Sequence, residues 1–156
     1  MPRKILRDNK AGNAAMHCIK ETAMVKMLAA LLLLSAIFGC AEKFDHDTEL
    51  AAKRALEFAD ATFVRRNLDK GYALLADKAR SYVPPDIFAD KVTKMHPSGY
   101  PGKVTAASAV PVKGEKIVQV RVRGEGSGER YEYAVTLTGT AATDYRVTLF
   151  SGGRTS

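Results

Sequence analysis

The spacing of apolar residues divides the chain into three segments. Residues 27–38 are an apolar run that is broken only by Ser35. In residues 48–95 the apolar positions recur every three or four residues, which is typical of helices that bury one side. After Gly102 the period falls to two, which indicates half-buried antiparallel strands.

The middle segment predicts three helices. The first extends over about residues 48–67, with Asp47 or Thr48 as its N-cap. The second extends over about residues 69–83 and ends at a pair of prolines, and the third follows these prolines. Helical spacing predicts the apolar face of the third helix: Ile87, Phe88, Val92 and Met95.

The last segment predicts four strands that are separated by glycine-containing turns. A weak strand at about 103–110 comes first, and Pro111 places it at a sheet edge because proline cannot donate to a strand ladder. The other three alternate apolar and polar residues, with apolar positions at Val118, Val120, Val122, Tyr131, Tyr133, Val135, Leu137, Tyr145, Val147 and Leu149. The predicted fold is therefore α+β, with N-terminal helices packed on one face of a curved four-stranded antiparallel β-meander.

The apolar run near the start of the chain is typical of a secretory signal. Its twelve residues are too few to span a bilayer as a helix, which needs about 20 residues. Lys26 precedes the run, and Gly39 and Cys40 follow it. We therefore assign residues 1–39 to a signal segment and residues 40–47 to a polar tether.

Residues 36–40 resemble the lipobox of bacterial lipoproteins. That motif has an apolar residue three places before a cysteine and a small residue directly before it, and Ile37 and Gly39 match these positions. The resemblance implies that Cys40 becomes the first mature residue and carries the lipid that anchors the chain in a membrane. It also implies a location in the bacterial cell envelope, facing the periplasm, with Ala41 favouring the outer over the inner membrane. A free buried cysteine, or a cleaved signal without lipid, stays open as an alternative.

Translation from Met24 would give this signal a short, normal n-region at residues 24–26. Residues 1–23 are therefore expected to be an extension outside the native protein, although a genuine extension that is cleaved with the signal stays open. In both cases Cys18 is removed, and the mature chain cannot form an intramolecular disulfide.

The net charge at first suggests nucleic acid as a partner. The chain has 24 Lys and Arg against 17 Asp and Glu, a net charge of +7. Residues 1–39 hold six of the basic and two of the acidic residues, so the mature chain keeps only +3. Arg121 and Arg123 share a strand face with Glu132, while the neighbouring tyrosines alternate to the other face. We therefore expect no nucleic-acid partner.

No residues have the spacing of a known catalytic or metal site. His96 ends the third helix and is predicted to face solvent, and His46 lies in the tether and is expected to be unstructured. Asp86 and Asp90 share a helix face, and the second can pair with Lys94, so both are predicted to be solvated charges. We expect no enzyme activity, no metal and no cofactor.

Residues 59–75 and 145–150 resemble the nuclear transport factor two-like superfamily. The positions that match its order and spacing are Asp69, Tyr72, Leu74 and Leu75. The resemblance covers about residues 49–150 and implies one cystatin-like, cone-shaped domain at 48–151, followed by a flexible tail at 152–156. The mouth of such a cone could admit a small apolar ligand between Phe63, Tyr72, Phe88, Val120 and Tyr133, or these residues could simply fill the core.

The sequence leaves three functions open. The first is a membrane-anchored envelope lipoprotein whose non-enzymatic domain binds a protein partner, a lipid or another small ligand. The second is an isomerase- or dehydratase-like enzyme of the same fold, which would need a buried acid or histidine at a pocket. The third is an accessory subunit of an envelope or secretion machine.

Overall fold

A computed structural model describes residues 43–155 of the chain. In that range, helices precede an antiparallel sheet, so the predicted α+β fold is confirmed. The helices are α1 (Thr48–Ala59), α2 (Leu68–Ala73), α3 (Asp77–Tyr82) and α4 (Pro85–Lys94). The strands are β1 (Lys103–Pro111), β2 (Ile117–Gly126), β3 (Glu129–Thr138) and β4 (Arg146–Thr155).

The first predicted helix is α1 together with a π-helical turn, Asp60–Val64, that continues it. The Asp47 carboxylate caps α1, accepting a hydrogen bond from the Leu50 N–H at 2.8 Å. The π-helical turn buries Thr62 and Phe63 side by side. It therefore directs the Phe63 ring into the space between the helices and the sheet.

The second predicted helix is interrupted, because residues 74–76 leave the helix and pair with the start of β4. The Ala76 N–H donates to the Val147 carbonyl at 2.8 Å, and the Val147 N–H donates to the Leu74 carbonyl at 3.1 Å. This pairing is a short parallel bridge that divides the predicted helix into α2 and α3. The hydrogen bonds to Val147 therefore outweigh the helical preference of the local sequence at residues 74–76.

The strands follow one another as β1-β2-β3-β4, which is the predicted meander with β1 at an edge. Along β2 and β3, buried apolar residues alternate with more exposed, mostly polar ones, as expected. Aromatic rings from α1, the π-helical turn and α4 pack on the apolar face of the sheet. The core therefore lies in one layer between helices and sheet.

The predicted flexible tail is wrong for residues 152–155, which belong to β4. Gly152 and Gly153 do not end the strand; they continue it with φ values of +125° and +146°, which glycine tolerates. Beyond them, Arg154 pairs with Glu129 at 2.6 Å, which fixes the end of the strand to β3.

The described part of the predicted tether, residues 43–47, lies against the domain. His46 was expected to be unstructured, and this prediction is wrong. Its Nε2 donates to the Glu115 carbonyl at 2.9 Å. The Asp47 N–H donates to the Tyr145 hydroxyl at 3.0 Å, and the Asp45 carbonyl accepts from a loop N–H at 3.0 Å. Cys40 and the signal segment, residues 1–39, lie outside the described residues.

Candidate functional site

His96 differs most from its prediction, because it is 5% exposed and does not face solvent. It follows Phe88 and Val92 at intervals of four residues, and all three are buried. Ile87, which was predicted for the apolar face, is instead 53% exposed. The sequence contains this four-residue spacing, but histidine is not an apolar residue type, so the pattern did not predict that His96 is buried.

Both ring nitrogens of His96 have hydrogen-bond partners inside the fold. Nδ1 lies 2.8 Å from the Val92 carbonyl, to which it donates its proton. Nε2 lies 2.8 Å from the Tyr133 hydroxyl, so it accepts the tyrosine O–H. The ring also stacks on Tyr100 with centroids 4.5 Å apart. The histidine is thus held neutral and its nitrogens are both engaged.

The buried position of His96 makes folding stability depend on pH. Burial lowers the pKa of His96 below the ordinary histidine value, while the unfolded chain titrates near pH 6.5. Between these two values the unfolded state binds more protons than the folded state. The contribution of neutral His96 to the free energy of unfolding should be complete above about pH 6.5. It should decline as the pH falls toward the lower pKa of His96 in the folded state. Urea unfolding at closely spaced pH values measures this decline.

The matched control is His96→Gln, which keeps hydrogen-bonding capacity but cannot titrate. Because the carboxylates are common to both proteins, the difference between the two pH profiles isolates His96. We expect a flatter profile in the variant over this range. Parallel profiles would contradict the assignment.

Four of the five residues predicted to line a pocket are buried in the core. Phe63, Phe88, Val120 and Tyr133 are core residues at most 1% exposed, and Tyr72 is half-buried. The rings of Phe63 and Tyr133 stack with centroids 4.3 Å apart. The Tyr72 ring meets Phe88 edge-on at 5.6 Å, and its hydroxyl donates to a carbonyl at 3.0 Å. A ligand pocket among these residues stays a prediction.

The charged residues singled out in the sequence are at the surface. Asp86 and Asp90 are exposed on α4, and Asp90 pairs with Lys94 at 2.6 Å as expected. Arg123 lies opposite Glu132 in the β2–β3 register, with 3.9 Å between their charged atoms. The pairs of Asp90 and Arg123 are of the kind found between structural surface charges, and Asp86 is exposed at the start of α4.

A groove of about 740 Å³ lies between α4 and the C-terminal half of β4. The α4 side presents Ile87 and Lys91, and the strand side presents Gly152, Gly153 and Arg154. The Lys91 ammonium lies 4.6 Å from the centroid of a buried phenylalanine ring. The sequence does not predict the groove, because the β4 residues that line it fall in the segment predicted to be a flexible tail.

The edge of β4 differs along its length. Its first part is covered by residues 74–76 through the two hydrogen bonds at Val147. For residues 148–155, the backbone hydrogen bonds of the described chain join β4 to β3 alone. The uncovered part borders the groove, and an open strand edge can pair with a further strand.

Within residues 43–155, no three His, Cys, Asp or Glu side chains come close enough together to hold a metal ion. No helix in the same range has both the length and the apolar character needed to cross a membrane. Comparisons with protein-family models, curated proteins and solved structures found no match to this chain.

Proposed function

We propose that this chain is a lipid-anchored protein of a bacterial cell envelope whose domain binds an extended segment of a partner protein. The segment occupies the groove between α4 and β4. The observation that carries this proposal is the edge of β4: within residues 43–155 its first part is hydrogen-bonded to residues 74–76, and its later part, beside the groove, is hydrogen-bonded to β3 alone. The lipid anchor at Cys40, implied by the lipobox resemblance, holds the domain on the periplasmic side, at the outer rather than the inner membrane.

The chain itself provides a template for this mode of binding. Residues 74–76 already lie along β4 as a short parallel strand, bonded on both sides of Val147. A partner segment that continues from there would add main-chain hydrogen bonds, and the groove would receive its alternate side chains. Exposed Ile87 gives such a side chain an apolar contact.

The charges of the groove favour an acidic residue in the partner. Lys94 is paired with Asp90, and Arg154 is paired with Glu129. Lys91 lines the groove and forms none of the ion pairs found within residues 43–155, and its ammonium lies over the Phe150 ring. A partner carboxylate beside Lys91 would therefore complete the local charge balance.

Binding is favoured over catalysis by the surroundings of the candidate acid–base groups. The nitrogens of His96 are both engaged within the fold. Asp86 and Asp90 are exposed to solvent, and Asp90 is paired with Lys94. Asp90 lines the groove, but neither Asp86 nor His96 is among the lining residues. An enzyme would be expected to bring two or more such groups together in one pocket.

Site-specific crosslinking in membranes tests the groove. A photoreactive residue at Ile87 should capture a discrete partner, whereas the same residue at Tyr82, exposed on α3, should not. Equal capture at both positions, or at neither, would contradict the groove assignment. Mass spectrometry of the membrane-extracted protein tests the anchor, and an unmodified Cys40 would refute it.

Charge reversal provides the quantitative test once the partner is identified. Lys91→Glu should weaken binding about tenfold, because it places a carboxylate beside the proposed acidic residue of the partner. The control is Lys78→Glu, which makes the same change at an exposed position of α3. An equal effect of the two substitutions on the dissociation constant would exclude a specific role of Lys91.

A further inference from the structure

We infer that the membrane surface lies against one end of the domain and that the α4–β4 groove faces away from it. The inference rests on the proposed lipid anchor at Cys40. We call the end that meets the membrane the tether end; it comprises residues 43–47, the β1–β2 turn at 112–116 and the β3–β4 loop at 139–145. The occupant of this surface is the lipid headgroup layer.

Residues 43–47 are held to the tether end by contacts with both connections. On the β1–β2 turn, His46 donates to the Glu115 carbonyl at 2.9 Å, and Lys116 lies over the Phe44 ring at 5.0 Å. On the β3–β4 loop, the Ala141 N–H donates to the Asp45 carbonyl at 3.0 Å. The chain therefore approaches the domain at a fixed place.

The remaining length of chain is short. Three peptide steps separate Cys40 from Lys43, and an extended chain spans at most about 3.6 Å per residue, or roughly 11 Å in all. Whatever path residues 41 and 42 follow, a lipid on Cys40 keeps the tether end within that distance of the bilayer surface. A longer tether would leave the domain free to reorient.

The groove lies toward the opposite end of the sheet. β2 begins beside the β1–β2 turn and ends at the β2–β3 turn, Ser127 and Gly128. Its 10 residues span about 33 Å at the usual rise of a strand. β4 runs in the same overall direction, and its groove-lining residues, 152–155, are its last. The groove therefore lies toward the end of the sheet that is farther from the membrane.

The charges of the tether end are mixed, so the lipid and not electrostatic attraction holds it at the membrane. Its basic residues are Lys43, Lys113 and Lys116, and its acidic residues include Asp45, Asp47 and Glu115. The orientation should therefore be insensitive to salt, since no basic patch faces the headgroups.

Fluorescence quenching in vesicles tests the orientation. The lipidated protein is placed in phosphatidylcholine vesicles that contain a headgroup spin-labelled lipid, with a fluorophore on one introduced cysteine. Lys113→Cys marks the tether end and Ser127→Cys marks the far end, and lipidated Cys40 does not react with the label. We expect quenching at position 113 to exceed that at position 127 at least threefold, with little change on adding salt.

The control inserts a twelve-residue Gly/Ser segment between residues 42 and 43, which gives the anchor about 20 Å of additional flexible reach. The contrast between the two positions should then largely disappear. Equal quenching in the uninserted, lipidated protein would overturn the orientation while leaving the anchor intact. An unlipidated Cys40 in mass spectrometry would instead overturn the anchor, and the orientation with it.

Discussion

Phe63→Ala is expected to lower the free energy of unfolding by about 3–5 kcal/mol, the usual cost of removing a buried phenylalanine ring. The Phe63 side chain is 0% exposed. Its ring stacks on Tyr133 at 4.3 Å between centroids and lies 5.8 Å from the Phe58 ring in an edge-to-face arrangement. Truncation therefore removes contacts with the helices and the sheet together and leaves a cavity.

Urea unfolding of the purified domain measures this loss, and Tyr82→Ala provides the control. Tyr82 is 75% exposed, so its truncation should change stability by no more than about 0.5 kcal/mol. The comparison also tests the predicted ligand pocket. If Phe63 lined an open pocket and was not packed in the core, its truncation would cost less than about 1 kcal/mol, and small apolar ligands would bind differently.

Gly152→Ala is expected to lower the free energy of unfolding by about 3 kcal/mol or more, because two penalties add. The residue has φ +125°, a region that side chains rarely adopt. A Cβ placed there would also clash with the Glu132 carbonyl oxygen. That oxygen belongs to the backbone of β3, so relief requires the two strands to separate locally.

The control for this prediction is Gly114→Ala in the β1–β2 turn. Gly114 also has positive φ, +77°, but an added Cβ meets nothing within 4 Å. It should therefore cost only the conformational penalty, about 1 kcal/mol. Equal losses at the two positions in urea unfolding would show that the close approach between β3 and β4 contributes nothing.

The strands were the most predictable part of the fold. Alternation at Val118, Val120 and Val122 reflects a local rule, in which successive side chains of a strand point to opposite faces. Pro111 similarly predicted that β1 lies at a sheet edge, because a residue without an N–H cannot donate to a strand ladder. Neither inference required knowledge of the rest of the chain.

The features missed in the sequence depend on partners that are distant along the chain. Burial of His96 requires Tyr133, which is 37 residues away, to supply a hydroxyl at 2.8 Å. The break at residues 74–76 requires Val147, and the position of His46 requires the Glu115 carbonyl. Local periodicity cannot identify such partners, because each depends on the finished tertiary structure.

The candidate groove was unpredictable for a related reason. Its helix wall includes Ile87, whose spacing suggested the core, and its strand wall includes Gly152 and Gly153, whose composition suggested a tail. Glycine pairs usually interrupt strands, so only the observed register with β3 shows that the strand continues.

The contacts of residues 43–47 also set the order in which the domain can be completed. The hydrogen bond between Asp47 and Tyr145 joins residues 98 positions apart. A chain is synthesised from its N-terminus, and closing so long a loop has to wait for the later residue. Residues 43–47 are made before the rest of the domain but are among the last of its segments to be fixed, and the domain acquires a defined direction relative to its N-terminal attachment only after Tyr145 is in place.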